Sequence, residues 1–258
     1  MRLTVIGCSG SFAGPDSPAS CYLLQAEDPD GRTWNLVMEL GSGAFGPLQR
    51  HVQPEEIDAV LISHLHADHC ADLAGLNVYA KHRPQGPITG ITVCGPTHTA
   101  RWIAESGDPA APPTRLAFEM RTWQDKASDA IGPFMVTPRR VSHVVETYGL
   151  RITGPGEAGG EAVIAFTGDT DLCPAVAELG KGAHLLLAEA SFTQEQTALR
   201  GVHLTARRAG ELAARAGAGR LVLTHLPPWN DPEQAWAQAR EAWSGAMDLA
   251  RPGAVFAL

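Results

Sequence analysis

The chain has 258 residues, and its 44% hydrophobic and 19% charged residues are typical of a folded globular protein rather than a disordered one. Its formal net charge of −8 argues against a non-specific nucleic-acid binder, which usually presents a basic surface. The first apolar run is too short for a signal peptide, no run approaches the roughly 20 residues of a membrane helix, and the five cysteines form no CxxC pair. We therefore expect a cytoplasmic protein with no membrane partner.

Short apolar runs, which are typical of buried strands, alternate with helical patterns along the chain. The predicted strands are Leu3–Cys8, Cys21–Gln25, Trp34–Leu40, Ala59–Ile62, Ile91–Cys94, Phe134–Thr137, Tyr148–Thr153, Ala162–Phe166, Leu185–Ala188, Leu221–Thr224 and Ala254–Ala257. The predicted helices are Asp72–Lys81, Thr97–Ser106, Pro174–Leu179, Thr205–Ala216 and Pro232–Trp243. In the fourth helix, Thr205 is placed to cap the amino end, and Gly217 and Gly219 are placed to end it. The segment from Gly154 to Gly160 is predicted to be a turn, and Pro109 to Pro113 a loop.

Strands outnumber helices, and both kinds of element occur in both halves of the chain. This order predicts the α/β class, with two mixed sheets and helices packed outside them. No repeat, low-complexity segment or change of composition marks a boundary, so we expect residues 1–258 to form a single domain.

The strongest chemical signal is Ser63-His64-Leu65-His66-Ala67-Asp68-His69, which directly follows a predicted strand. Because His64 and His66 are two residues apart in an extended segment, their side chains share one face and can bind one cation. Asp68 and His69 come after the chain turns, where they can face a second cation. Four ligand-type side chains within six residues predict a metal site; the alternative, a solvated His-rich loop, does not need such an apolar lead-in.

The pattern His64-x-His66-x-Asp68-His69 resembles the signature of the metallo-β-lactamase fold superfamily. The resemblance implies an αββα four-layer sandwich of two mixed β-sheets with outer helices. It also implies three further ligands after later strands. The sequence offers these in order as His143, Asp169 and His225, each of which alone would more often be an ordinary surface or turn residue.

The same resemblance implies how the seven side chains share two divalent metal ions. One ion would be held by His64, His66 and His143. The other would be held by Asp68, His69 and His225, with Asp169 bridging the two. Zinc suits His and Asp ligands, and manganese or iron are the alternatives.

Many metallo-β-lactamases carry a cysteine at the bridging position. The Asp at this position resembles the phosphodiesterase branch of the superfamily, which includes ribonuclease Z. The segment Ala188-Glu189-Ala190-Ser191 is similar to the His-Glu-Ala-Thr motif of that branch, although Ala188 replaces its first His. The segment His203-Leu204-Thr205 is similar to its His-Ser-Thr motif. The resemblance implies catalytic roles for Asp68, Glu189 and His203. The alternative for Glu189 is a surface carboxylate, and the alternative for His203 is a residue at the start of a helix.

Two divalent ions about 3.5–4 Å apart can share one hydroxide, because each lowers the pKa of bound water. Two divalent ions contribute a charge of +4, and Asp68, Asp169 and the hydroxide contribute −3. The inner site therefore keeps a charge of about +1, which suits an anionic phosphodiester. The hydroxide would attack phosphorus in line with the leaving oxygen. His203, kept protonated by Glu189, would protonate that oxygen or stabilise the developing charge.

The size of one segment bears on the substrate, because ribonuclease Z carries an arm that grips transfer RNA between its third His and its bridging Asp. Only 25 residues separate His143 from Asp169 here, and two predicted strands and a turn already use them. The segments Gly7–Ser11, Gly14–Ser20 and Thr224–Trp229 also resemble arm-less members described as atypical class II cyclic-nucleotide phosphodiesterases. We therefore expect a small phosphodiester substrate, cyclic AMP first, and the resemblance implies a homodimer.

Three other functions stay open as alternatives. An RNA-processing nuclease of the ribonuclease Z type would need a basic surface that the sequence does not show. A lactone, ester or thioester hydrolase could use the same metal site, but the pair of Glu189 and His203 argues against it. A metal-stabilised binding module is disfavoured because structural zinc sites are usually closed and tetrahedral, unlike a set of seven ligands.

Several residues near these motifs receive weaker interpretations. The turns Gly7–Ser11 and Gly41–Gly43 resemble loops that border the site in this branch, since glycine lets a backbone approach closely. Tyr148, Trp229 and Pro227-Pro228 are interpreted as packing in the core or at the rim of a pocket. The remaining histidines receive no role: His51, His82, His98 and His184.

Overall fold

The computed structural model describes residues 1–107 and 116–258, which contain two mixed β-sheets of seven strands each. In spatial order, the first sheet consists of β14 (Val255–Ala257), β1 (Arg2–Gly7), β2 (Cys21–Glu27), β3 (Thr33–Met38), β4 (Ala59–Leu61), β5 (Ile91–Gly95) and β6 (Phe118–Thr122). Pairing is antiparallel from β14 to β3 and parallel from β3 to β6.

The second sheet repeats this division between parallel and antiparallel pairing. In spatial order it consists of β13 (Ala246–Leu249), β12 (Arg220–Thr224), β11 (Leu185–Glu189), β10 (Glu161–Phe166), β9 (Tyr148–Pro155), β8 (Phe134–Arg140) and β7 (Asp129–Ile131). Pairing is parallel from β13 to β10 and antiparallel from β10 to β7. The carboxyl ends of the parallel strands β10, β11 and β12 therefore lie side by side at the same end of the strands.

Helices cover the outer face of each sheet. The first sheet is accompanied by α1 (Phe45–Leu48), α2 (Ala67–Cys70), α3 (Leu73–His82) and α4 (Thr99–Gly107). The second is covered by α5 (Pro174–Gly180), α6 (Ala206–Ala216) and α7 (Pro232–Arg240). Within the described ranges, none of the helices has the length and hydropathy needed to cross a lipid bilayer.

Alternating side chains explain why two sheets pack between two helical layers. In β2, Tyr22 and Leu24 join a cluster between the sheets that also contains Leu150 and Ile164 of the second sheet. Leu23, one residue away, joins the cluster under α1 and α3 instead. Both faces of such strands are buried, which explains their nearly continuous apolar sequences. The predicted αββα sandwich of two mixed sheets is confirmed.

The predicted strands are all present, with ends shifted by a few residues, and the strands that the sequence did not predict are β6, β7 and β13. All three are edge strands with partly exposed side chains, so they need no long apolar run. In α6 the Thr205 side chain accepts a hydrogen bond from the Arg208 amide, and Gly217 ends the helix with a left-handed φ of 62°, both as predicted. The four-residue helices α1 and α2 were also not predicted. The predicted loop from Pro109 to Pro113 lies outside the described residues.

Candidate metal centre

The first sheet delivers its donors through one loop at the carboxyl end of β4. His64 is fully buried, and its Nδ1 lies 3.0 Å from the Ser63 hydroxyl. His66 is the last extended residue before α2, and α2 carries Asp68 and His69. The chain therefore turns between His66 and Asp68, as the sequence predicted, and the two pairs of side chains point from different backbone conformations.

The second sheet delivers three predicted metal donors, and Glu189 beside them, one at a time. Asp169 follows β10, Glu189 is the last residue of β11, and His225 follows β12, so the three parallel strands place them side by side. His143 follows the antiparallel strand β8. All except the half-buried His143 are at least 98% buried.

The seven predicted ligands come together in two groups that share the region around Asp169. Within each group, one ligand atom from every side chain lies within 4.8 Å of the others; the groups are His64, His66, His143 and Asp169, and Asp68, His69 and His225. A third group overlaps both and adds His203 to Asp169 and His225. Asp169 reaches both, because its Oδ2 lies 3.7 Å from His64 Nε2 and its Oδ1 lies 3.3 Å from His69 Nε2. The histidines without a predicted role belong to neither group, and His184 instead accepts a hydrogen bond from the Val163 amide.

The hydrogen bonds of the outer ring nitrogens fit a metal ion at the inner ones. His143 Nδ1 donates to the Val202 carbonyl at 2.8 Å, so its Nε2 carries a lone pair. The Ser191 hydroxyl donates to the His225 carbonyl and therefore accepts from His225 Nδ1 at 2.7 Å, which leaves His225 Nε2 as a lone pair. This Nε2 faces His69 Nε2 at 3.0 Å. Imidazole nitrogens that converge in this way are suited to share a cation.

The charge of the centre also fits a cation. Burial alone would lower the pKa of His69, but Asp169, Asp68 and Glu39 raise its pKa well above the usual value, so a proton is drawn to the place where carboxylates converge. Burial lowers the pKa of His64 well below the usual value, which favours the neutral form that binds metals. A divalent ion would neutralise the same excess of negative charge.

Glu39, which was not among the predicted site residues, supports this centre. Its side chain is fully buried, its Oε1 accepts from the Ser63 amide at 2.9 Å, and its Oε2 lies 3.5 Å from His69 Nδ1. Its backbone is left-handed, with a φ of 60°, a conformation that costs roughly 1–3 kcal/mol and is common beside active sites. The signal that could have found Glu39 is a carboxylate inside the apolar run Val37-Met38-Glu39-Leu40.

Glu189 and His203 form a pair next to the donors. His203 Nδ1 donates to Glu189 Oε1 at 2.9 Å, and the two Glu189 oxygens also accept from the amides of Thr170 and Ser191. Burial alone would lower the pKa of His203, but the charge and hydrogen bond of Glu189, with Asp169, raise its pKa to about 9. Glu189 is fully buried, so the alternative of a surface carboxylate is wrong.

Asp171 ties the loop that precedes His203 to the strand end that carries Asp169. Its carboxylate accepts from Arg200 Nε at 2.6 Å, from the Gly201 amide at 2.9 Å and from Arg208 at 3.3 Å. No sequence signal singles out Asp171, because an Asp two positions after another Asp in a turn is common.

Both glycine-rich turns lie against the donors. A Cβ at Gly10 would overlap the His225 carbonyl, and a Cβ at Gly41 would overlap the Asp68 carbonyl. His225 itself is left-handed, with a φ of 55°. Only glycine permits the close approaches at Gly10 and Gly41, which place the turns at the border of the centre.

Tyr148 is buried in the core, as interpreted, whereas 68% of Trp229 is exposed to solvent.

The chain is similar to proteins of one known family over most of its length. The family described as "Beta-lactamase superfamily domain" matches residues 34–226. A Bacillus subtilis protein described as probable metallo-hydrolase YhfI is 30% identical, with 99% of each chain covered. Its crystal structure, described as a metallo-β-lactamase fold protein, superposes with a TM-score of 0.83 at 28% identity over 99% of this chain and 98% of that one.

The chain belongs to the metallo-β-lactamase fold superfamily, in its ribonuclease Z-like branch. An uncharacterized protein of Mycobacterium leprae is 39% identical over 99% of this chain and 88% of that protein. Ribonuclease Z of Bacillus cereus is 25% identical over 88% of each. Membership makes this chain a metallo-hydrolase of that superfamily, with clusters of His and Asp able to bind metal.

Proposed function

We propose that this metallo-β-lactamase fold protein is a binuclear metal-dependent phosphodiesterase that hydrolyses 3′,5′-cyclic nucleotides, cyclic AMP first. The observation that carries the proposal is the arrangement of two donor groups around Asp169 with the Glu189–His203 pair beside them. A pair of this kind supplies a proton to a leaving alkoxide, which a phosphodiester needs.

In this proposal the first metal ion is bound by His64, His66 and His143, the second by Asp68, His69 and His225, and both by Asp169. Zinc is the proposed ion, because imidazole and carboxylate ligands suit it. When bound, the ions would polarise a phosphoryl oxygen and lower the pKa of water.

The chain's own side chains would do the rest. Asp68 Oδ2 lies 3.0 Å from His225 Nε2 and 3.4 Å from His69 Nε2, so it would help to hold the second ion and could accept a hydrogen bond from an attacking water. Glu189 holds Nδ1 of His203, which leaves Nε2–H to donate to the leaving oxygen. The amides of Thr170 and Ser191 fix Glu189 in turn, so the donor reaches the reaction already positioned.

The choice of a small diester is supported by the segment between His143 and Asp169. Strands β9 and β10 pair antiparallel, and the Gly156 amide closes their turn on the Gly160 carbonyl at 2.9 Å. The segment is used by the sheet, which leaves no insertion of the kind that grips transfer RNA.

The relative named ribonuclease Z favours one second candidate, a transfer-RNA 3′ endonuclease.

We also propose that residues 1–258 act as one hydrolase domain, in the cytoplasm and as a homodimer. The single core shared by the two sheets supports one domain. All five cysteines are free, which agrees with a reducing compartment. The homodimer rests on the resemblance to arm-less cyclic-nucleotide phosphodiesterases.

The test compares two substrates. The zinc-loaded protein is incubated with cyclic AMP and, separately, with a transfer-RNA precursor that carries a 3′ trailer, with Asp169→Ala as the control. The proposal predicts turnover of cyclic AMP that is absent from the control, with the RNA intact. Removal of the trailer without turnover of cyclic AMP would replace it with the endonuclease.

A further inference from the structure

Phe12 and Trp229 form an exposed aromatic pair on two segments that also carry Gly10 and the proposed metal ligand His225. The ring centroids of Phe12 and Trp229 lie 4.9 Å apart, with their planes inclined by 46°. Even so, 42% of Phe12 and 68% of Trp229 remain in contact with solvent. Isolated apolar residues at a surface are ordinary, but two paired rings leave a broad aromatic face open to a ligand.

The Trp229 ring is carried by a stiff turn. The Asn230 amide donates to the Pro227 carbonyl at 2.9 Å, so Pro227 to Asn230 form a turn with Pro228 at its second position, where the fixed φ of proline is favourable. Asn230 Nδ2 donates to the Ser191 carbonyl at 2.8 Å, which holds the end of the turn. A turn held in this way loses little backbone entropy when a ligand binds to the ring that it carries.

The loop that carries Phe12 is fastened to Leu226, which directly follows the proposed metal ligand His225 in the segment that carries Trp229. The Gly10 amide donates to the Leu226 carbonyl at 3.1 Å, and Ser9 forms a β-bridge with Leu226. Trp229 follows His225 by four residues, so their Cα atoms are at most about 14 Å apart. The same segment therefore supplies a proposed metal ligand and, within about 14 Å of backbone, one ring of the aromatic pair.

We propose that Trp229, backed by Phe12, stacks on the base of the nucleotide whose phosphodiester reacts at the metal centre. The inference rests on the proposed function and adds a residue that selects the substrate class. Stacking on an aromatic side chain needs only a π-face and no hydrogen-bond pattern. Trp229 therefore favours diesters that carry a base over those that do not, and distinguishes adenine from guanine only weakly.

The test uses a matched pair of substrates, cyclic AMP and the 3′,5′-cyclic phosphate of 1-deoxyribose, which has no base. For Trp229→Ala we expect kcat/KM for cyclic AMP to fall about tenfold or more, mainly through KM, while kcat/KM for the base-less diester is unchanged. Trp229→Phe should keep most of the activity towards cyclic AMP. Val78→Ala, which shortens an apolar side chain 51% exposed on α3, is the control and should leave both substrates unaffected.

Three results would overturn the inference while the proposed function stands. The first is an equal fall for both substrates in Trp229→Ala, which would assign the residue to the support of His225. The second is no fall for either. The third is conversion of a dimer to a monomer by Trp229→Ala in sedimentation experiments, which would assign the aromatic pair to contact with a second copy of the chain. If the wild-type protein hydrolyses neither diester, the proposed function itself is rejected, and this inference with it.

Discussion

The two sheets supply the candidate centre in different ways. The first sheet contributes His64, His66, Asp68 and His69 from a single loop of six residues, so these side chains are close whatever the rest of the chain does. The second contributes His143, Asp169 and His225 from separate strand ends spread over more than 80 residues, and only the sheet brings them together. The centre thus depends on local spacing on one side and on strand order on the other.

The largest expected effect comes from Asp169, which joins the two sides. Asp169→Ala removes the carboxylate that reaches His64 and His69, so both ions should bind weakly. We predict a loss of phosphodiesterase activity well beyond the 10- to 100-fold that is typical when a ligand's outer partner is removed. Steady-state kinetics with Asp30→Ala, an exposed loop residue, as the control would check this. Activity within tenfold of wild type would show that the two sides do not depend on a shared carboxylate.

His203 belongs to the second side alone, and its removal should affect chemistry without affecting the metals. We predict that His203→Ala lowers kcat by about 10²- to 10⁴-fold, as is typical for loss of a general acid, with unchanged metal content. Its pKa of about 9 keeps His203 cationic below that pH, so activity should fall as the pH rises through 9. Glu189→Gln removes the charge that raises the pKa of His203, so the fall should begin at a lower pH. A pH profile that Glu189→Gln leaves unchanged would contradict the pairing.

Ser191 and Ser63 each hydrogen-bond to a proposed metal ligand, one from the second sheet and one from the first. The Ser191 hydroxyl makes two hydrogen bonds to His225, whereas the Ser63 hydroxyl makes one among the described residues, to Nδ1 of His64. We predict that Ser191→Ala weakens zinc affinity by about 10- to 100-fold and that Ser63→Ala weakens it less, as measured by competition with a chelator. The reverse order would mean that the local loop needs more support than the strand ends.

The smallest effect on activity is expected from the core beneath the second side. Leu212 of α6 is fully buried in the cluster under the outer helices. We predict that Leu212→Ala costs about 2–5 kcal/mol of unfolding free energy but leaves kcat per folded molecule unchanged. Denaturant unfolding with kinetics at low temperature separates the two quantities. A lower kcat in fully folded protein would show that packing under α6 shapes the centre.

The same contrast explains what could be predicted from the sequence. The loop after β4 was recognisable because its ligand spacing is local, and the family pattern then indicated His143, Asp169 and His225. Buried strands were found because their apolar runs are continuous, while the edge strands β6, β7 and β13 were missed because pairing, rather than composition, defines them.

Residues that act through others were the ones the sequence did not reveal. Glu39, Asp171 and the serine hydroxyls touch the proposed ligands or hold their loops, and each is of a type that occurs in many ordinary turns and strands. Their importance follows from hydrogen bonds over long separations in the chain, such as the 34 residues between Ser191 and His225. The sequence predicts that Trp229 packs in the core or at the rim of a pocket, and its exposure in the structure leaves the rim.

The measurement that tests the central claim most directly is the number of zinc ions per chain in native mass spectra. We predict two ions in the wild-type protein, one in His66→Ala, which alters the first donor group, and one in His225→Ala, which alters the second. A single ion in the wild-type protein, or two ions retained in His225→Ala, would contradict a centre built jointly by the two sheets.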